Sequence, residues 1–328
     1  MSHFLTIPVN ENGIITDQNI NVEIGIAALP PFKFTDVFIY SHGWWNTASS
    51  AASEYNIFSI GFSKTLQELL VAAPADFSEF PDATFSALAA GIHWPSMISE
   101  NEDANSSNFN FLQATSFFTM EHRADDVGEH AIFALLRMFI EARDGQPPLR
   151  FHLIGHSFGC RVLCSALQTL CEDTATLKKA QDIKAEFNLA LIQAATDTDS
   201  LGAGKLYADV LANVPSLRVL VTTSQADTAL GTWYPRAQKL ANLFKEPVPA
   251  MGAAGPTGTL AVPVSARISV ATSPVPKPTG DFVVADITPL HKAHALVSGP
   301  WGGFSGQHSD IYLPEIYELL ARFFFGTR

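Results

Sequence analysis

The sequence predicts an α/β fold: a doubly wound, mostly parallel sheet with helices on its faces. Three observations predict it. From residue 36 onward, short runs of strand formers alternate with helix-patterned segments. The first run, "DVFIYSHGWW" at 36–45, is nearly unbroken in strand formers, as expected of a central strand buried on both faces. The unit that follows reads strand, helix, strand, whose natural form is a parallel crossover.

Taken in order, "FLTIPV" (4–9) and "INVEIGIA" (20–27) alternate apolar and polar residues around "NENG", which reads as an N-terminal β-hairpin within 1–34 with Gly13 at its turn. After the 36–41 strand, apolar residues spaced by three and four predict a helix from Glu54 to Ala73. "TFSALAAGIHW" (84–94) is a second strand, stopped by Pro95. Residues 97–125 are rich in Asn, Ser and Asp with interleaved Phe109, Phe111, Phe117 and Phe118, and read as an excursion over the sheet. A helix at 125–145 carries acids at its start and Arg143 and Gly145 at its end, matching the helix dipole and the usual stop signal. The alternation continues with a strand at 149–157, helix at 158–172, strand at 187–196, short helix at 200–213 and strand at 216–227. Residues 236–280 are crowded with Pro, Gly and Ala and read as a long loop. A last strand at 281–290 and a covering helix at 313–325 complete one domain spanning 1–328. The inserts 97–125 and 236–280 are candidates for a lid.

Composition narrows the function classes. The chain has 328 residues, 47% hydrophobic and only 16% charged, which places it among globular proteins. Its net charge of −12 and the lack of any Lys/Arg cluster argue against a nucleic-acid partner. Cys160, Cys164 and Cys171 fall on one predicted helix without a CxxC pattern, so they read as reduced thiols and imply no metal. The N-terminus lacks the pattern of a secretion signal, and no apolar stretch reaches the ~18 residues of a membrane span. The expectation is a soluble, cytoplasmic protein acting on a small molecule; the oligomeric state is not legible.

The stretch "FHLIGHSFGCRVLCSAL" (151–167) carries the chemistry. Ser157 sits between Gly155 and Gly159 where a strand hands over to a helix. A turn that sharp leaves no room for side chains two residues either side of the serine. It lifts the hydroxyl above the sheet and leaves the Phe158 amide unpaired at a helix N-terminus, ready for a developing oxyanion. A serine hydroxyl needs a base and an orienting carboxylate, in chain order Ser, Asp or Glu, His. Asp227, ending the 216–226 strand, is the chosen acid, with Asp197 and Asp199 as rivals. His308, between the last strand and the last helix, is the chosen base, with His291 and His294 as alternatives if that strand ends elsewhere. The second oxyanion donor is the amide of Trp44 in "SHGWWN" (41–46), where Gly43 lets the chain turn.

Together "HGWW" (42–45), "GHSFG" (155–159), "SQADTAL" (224–230) and "QHSDIY" (307–312) resemble the α/β-hydrolase superfamily, in particular serine esterase or lipase-like bacterial hydrolases, from about Asp36 to the C-terminus. The "SQADTAL" block is similar to the acid segment of such esterase-like proteins and favours Asp227. The resemblance implies ester hydrolysis through an acyl-enzyme on Ser157, with no cofactor and no metal. Trp45, Phe117, Phe118, Trp301 and Phe304, with Trp44, suggest an apolar or aromatic substrate pocket. Members of the fold that dehalogenate or open epoxides use a carboxylate at the elbow, so Ser157 argues against both. Peptidase, amidase, thioesterase and acyltransferase activities use the same residues and stay open, as does a binding protein that has lost the chemistry.

Overall fold

The structure is a computed structural model. It describes residues 4–17, 34–44, 46–78, 80, 85–97, 111–143, 148–241, 246–298 and 307–327. In chain order the elements are β1 (Phe4–Pro8), β2 (Asp36–Ser41), α1 (Ala48–Ala72), β3 (Ala87–His93), α2 (Phe111–Val127), α3 (Phe133–Glu141), β4 (Arg150–His156), α4 (Phe158–Glu172), α5 (Thr174–Asp182), β5 (Glu186–Ile192), α6 (Val210–Asn213), β6 (Leu217–Thr223), α7 (Tyr234–Ala241), α8 (Met251–Ala254), β7 (Ala266–Ser269), β8 (Phe282–Asp286), α9 (Thr288–Ser298) and α10 (Pro314–Phe325). Among the described residues, eight strands form one sheet in the order β1-β3-β2-β4-β5-β6-β8-β7. Every pair in it is parallel.

Alternation along the strands divides the core into two layers. In β2, Val37 and Ile39 face a layer completed by α2, α3 and α4, including Met120, Leu136, Val162 and Leu163. Phe38 and Tyr40 face the opposite layer, built with Tyr55, Phe58 and Phe62 of α1 and Leu319, Leu320 and Phe323 of α10. Both faces are therefore covered, which is why the central strands read as unbroken apolar runs. No helix among the described residues is long and apolar enough to cross a membrane.

Several elements differ from the sequence expectation. A turn does form, with Gly13 at φ 73° and Val9 bridged to Ile15, but β1 pairs in parallel with β3; residues 20–27 lie outside the described residues. Helix α1 begins at Ala48, six residues early, because Thr47 and Ser50 cap it reciprocally and its first turns carry small residues without periodicity. The 97–125 excursion is helical from 111 onward. Phe117, Met120, Ala124 and Val127 are buried at helical spacing, a stripe masked by the polar stretch before it. A π-helical turn, Gly128–Ile132, joins α2 to α3, so helix runs from 111 to 141. The expected helix at 200–213 shrinks to α6, and the Pro/Gly-rich segment contributes α8 and the edge strand β7. The last strand ends at Asp286, and α9 occupies what was read as its end and the loop beyond. The signal was present: the Asp286 carboxylate accepts from the Thr288 amide at 2.9 Å, and Pro289 follows at an early helical position.

At the amino ends of β2 and β4 the fully buried Asp36 accepts from Arg150 Nη2 and His152 Nε2, each at 2.8 Å, and from Thr35 Oγ1 at 2.6 Å. Burial pushes the Asp36 carboxyl up, but His152 and Arg150 outweigh it and leave the pKa below the ordinary value. Removing one partner of such a group strands the others. Asp36→Ala is expected to cost about 3–5 kcal/mol in urea unfolding; a loss below about 1 kcal/mol would show that the network adds little.

Candidate active site

The chain order reverses at the centre of the sheet: β2 leads to β3 on one side, while β4 leads to β5 on the other. The carboxyl ends of β2 and β4 meet at this switch point, the usual ligand position in such sheets. Gly43 follows β2 and Ser157 follows β4, so both lie at that point. A cavity of about 300 Å³ lies at the opposite edge, lined by Arg150, Glu186, Asn188, Arg218, Phe324 and Phe325. Arg150 is held there by Asp36, and Arg218 donates to the Phe323 carbonyl.

Ser157 joins β4 directly to α4 with φ 55° and ψ −122°, a conformation that L side chains rarely adopt. Its amide donates to the Ile192 carbonyl at 3.1 Å, and its carbonyl accepts from Cys160 at 3.1 Å and Ala195 at 3.2 Å. The strain is thus held in place by β5 and its continuation. The Phe158 amide is the first of α4, where no preceding helical carbonyl exists to receive it. The glycines answer to separate constraints. A Cβ at Gly155 would lie 2.6 Å from Cys160 Cα, and one at Gly159 would lie 2.0 Å from the Ser41 carbonyl oxygen. A Cβ at Gly43 would meet Ser157 Cβ at 2.7 Å. A Cβ at Gly155 would also lie 2.8 Å from Gly159 C, the close approach across the turn that the sequence suggests, and Gly159 in addition admits β2.

Asp227 and His308, remote in sequence, meet beside this turn. His308 Nδ1 lies 2.6 Å from Asp227 Oδ2, so the ring donates through Nδ1 and keeps an acceptor lone pair on Nε2. Asp227 is almost wholly buried. Its Oδ1 accepts from the Leu230 amide at 2.9 Å, and its Oδ2 also accepts from Gln193 Nε2 at 2.7 Å. Burial raises its pKa, but His308 and these hydrogen bonds outweigh that and hold the carboxyl below the usual carboxylate value. The rivals are committed elsewhere. Asp197 accepts from the Tyr234 hydroxyl and the Gln238 amide, and Asp199 pairs with Lys205 at 2.7 Å. His291 accepts from Ser224 Oγ at 2.9 Å, and His294 Nδ1 lies 3.0 Å from Asp310 Oδ2.

The peptide that joins Gly43 to Trp44 is held by a residue whose part the sequence did not reveal. His42 is fully buried and stacked on Trp94, with its Nδ1 2.7 Å from the Gly43 carbonyl. In a trans peptide the carbonyl and the following N–H point in opposite directions, so holding Gly43 O fixes where Trp44 N–H points. Burial drives the His42 pKa down to about 3, which leaves the ring neutral and able to accept on Nε2 from the Trp94 amide at 3.4 Å.

Of the expected pocket residues, Trp45, Trp301 and Phe304 lie outside the described residues. Phe117 is buried and packs edge-on against Phe158 at 5.1 Å between ring centroids. Trp44 packs edge-on against both rings. Tyr234, absent from the sequence expectation, meets Phe117 at 5.2 Å. Phe117 and Phe158 are thus core, and the half-buried Trp44 and Phe118 are the rings with surface left to offer. Among the described residues no group of three or more His, Cys, Asp or Glu could hold a metal ion.

No family model matches the chain, and comparison with the curated proteins and with the solved structures gives no match.

The buried histidines make stability depend on pH. Burial lowers both His42 and His156 from the ordinary 6.5 to about 3. Between these values the unfolded chain binds protons that the folded chain does not, so stability is complete above about pH 6.5 and falls with decreasing pH. Each ring contributes a slope of about 1.4 kcal/mol per pH unit. Asp227, held below 3.8, adds the same sign only in stronger acid. Urea midpoints are expected to fall steadily from pH 7 to pH 4; a flat profile would contradict neutral buried rings.

Proposed function

We propose that the chain is a serine hydrolase of carboxylic esters that works in the manner of the α/β-hydrolase superfamily, with Ser157 as nucleophile, His308 as base and Asp227 as orienting acid. The observation that carries this reading is the 2.6 Å contact between His308 Nδ1 and Asp227 Oδ2 beside a strained serine at the switch point of the sheet. A structural serine needs neither the strain nor a histidine whose free Nε2 is fixed by a buried carboxylate.

His308 Nε2 takes the Ser157 hydroxyl proton as Oγ bonds to the acyl carbon. The carbonyl π electrons move onto oxygen, where the Trp44 and Phe158 amides stabilise the charge. Collapse of this adduct breaks the bond to the leaving alcohol, which receives the proton from His308. Water then enters by the same route, giving its proton to His308, and the acid departs as Ser157 regains its hydrogen. Asp227 keeps Nδ1 protonated throughout and stabilises the imidazolium. The half-buried rings of Trp44 and Phe118 favour substrates with apolar or aromatic groups.

Intact mass after fluorophosphonate treatment tests the nucleophile, followed by p-nitrophenyl esters of increasing chain length. One adduct is expected on the native chain and none on Ser157→Ala; an unlabelled native chain would overturn the reading. Asp227→Asn is expected to lower kcat by about three to four orders of magnitude through the wrong imidazole tautomer. Asp197→Asn and Asp199→Asn should stay within a few-fold. Equal losses at all three would remove Asp227 from its role.

A further inference from the structure

Residue 308 belongs to no strand or helix, and nothing in the sheet ladder fixes it. Its segment is tied instead by side chains that reach its backbone carbonyls. Gln193 Nε2 donates to the Gln307 carbonyl at 3.2 Å, and His156 Nε2 to the His308 carbonyl at 2.8 Å. His291 Nε2 donates to the Asp310 carbonyl at 3.2 Å, while the Asp310 amide closes a turn onto Gln307 at 3.2 Å.

The first two donors differ from the third in what else they touch. His156 immediately precedes Ser157, is buried, and lies with its ring centroid 4.9 Å from that of His308. Burial and the neighbouring His308 drive its pKa to about 3, so it serves as a neutral N–H donor. Gln193 is wholly buried just past β5, with φ 46°. Its amide N–H is anchored on Thr222 Oγ1 at 2.9 Å, and its Nε2 binds both Asp227 Oδ2 and the Gln307 carbonyl. Ile192, just before it, accepts from the Ser157 amide. One residue therefore joins the acid to the segment that carries the base, one step from the residue that receives the serine amide. Such a cost in backbone strain and buried polarity is retained where geometry matters.

We infer that Gln193 and His156 are positioning residues for His308: together they fix the height and orientation of its imidazole between Asp227 and Ser157. This rests on the hydrolase reading above. The donors act on backbone carbonyls, so they anchor the Cα from which the His308 ring reaches Asp227 Oδ2. Loss of a donor leaves Ser157, the oxyanion amides and the aromatic wall in place. The effect should therefore fall on the chemical step and leave substrate binding little changed.

The experiment is steady-state kinetics on a p-nitrophenyl ester for Gln193→Met, His156→Phe and His156→Gln, with thermal unfolding of each. Gln193→Met keeps the side-chain length and removes the donor. It is expected to lower kcat about 10- to 100-fold, the range that partners of a primary active group commonly carry, with KM within about twofold. His156→Phe should behave alike, and His156→Gln, which restores an N–H near the Nε2 position, should recover most of the loss. Because buried variants can fail to fold, the native protein gives a second reading. With ¹⁵N-histidine labelling, His156 should be the neutral Nε2–H tautomer from pH 5 to 8, with a slowly exchanging ring proton. Native kcat in folded Gln193→Met and His156→Phe would overturn the inference, as would an Nδ1–H or charged His156. In that case an active native enzyme with a Ser157 adduct would leave the hydrolase reading standing. Absence of that adduct and of ester turnover would remove the hydrolase reading itself.

Discussion

The close approach of three backbone segments around Ser157 is the constraint on which the rest depends. β2 and β4 run side by side in parallel, and the chain must leave both at one edge while entering α4 without a spacer. The Ser41 carbonyl occupies the space a side chain at 159 would take, and Ser157 occupies the space of one at 43. Three glycines and one residue at positive φ are the solution. Steric exclusion thus produces the strained serine, and the strain is sustained by hydrogen bonds to Ile192 and Ala195 from the neighbouring strand and its continuation, together with the local one from Cys160. Moving β5 would release it.

The same crowding brings chemistry to a point. Because β4, β5 and β6 are adjacent, their carboxyl ends deliver His156, Gln193 and Asp227 within reach of one another. His156 ends β4, Gln193 directly follows β5, and Asp227 follows β6 by a short turn closed on the Ser224 carbonyl. Only the His308 segment arrives from outside the sheet, and it is received by buried donors already in place. Precise placement of a proton acceptor on an irregular segment needs such preorganised partners, since a loop alone would sample many positions.

Much of this was legible in the residues, for reasons that can be named. The unbroken strands 36–41 and 149–156 announce burial on both faces, and glycines two before and two after a serine announce the turn. Asp227 and His308 followed from element order, and the structure brings them together. The parallel pairing of β1 was not legible, since strand partners are set by tertiary packing and a local Gly13 turn signals only a local reversal. The helix at 111–127 was hidden because Thr119, Glu121, His122 and Arg123 interrupt its apolar residues and resemble the polar stretch before it; Glu121 pairs with Arg161 and Arg123 donates to the Pro95 and Met97 carbonyls, partners that local sequence does not show. Gln193 carries no sequence signal at all. Its part follows from a positive φ and from neighbours that are 34 and 114 residues away.

Histidine serves two opposite ends in this chain, and burial separates them. His42, His152, His156 and His291 are buried and their pKa values lie below the ordinary one. A neutral imidazole offers one N–H and one lone pair in fixed directions, which suits it to hold Gly43 on one side of the serine and His308 on the other. A lysine or arginine there would bring a charge that the interior could not solvate, and a glutamine would bring more rotamer freedom. His308 differs because its Nδ1 faces a carboxylate while its carbonyl, not its ring, bears the anchoring bond from His156. The rings that orient are uncharged, so they place no repulsive cation beside the imidazolium that ester cleavage would create. The same burial that makes the fold sensitive to acid keeps His156 uncharged, while His308 and the hydrogen bonds from Leu230 and Gln193 hold Asp227 ionised within the cluster of Asp227, Gln193, His156 and His308.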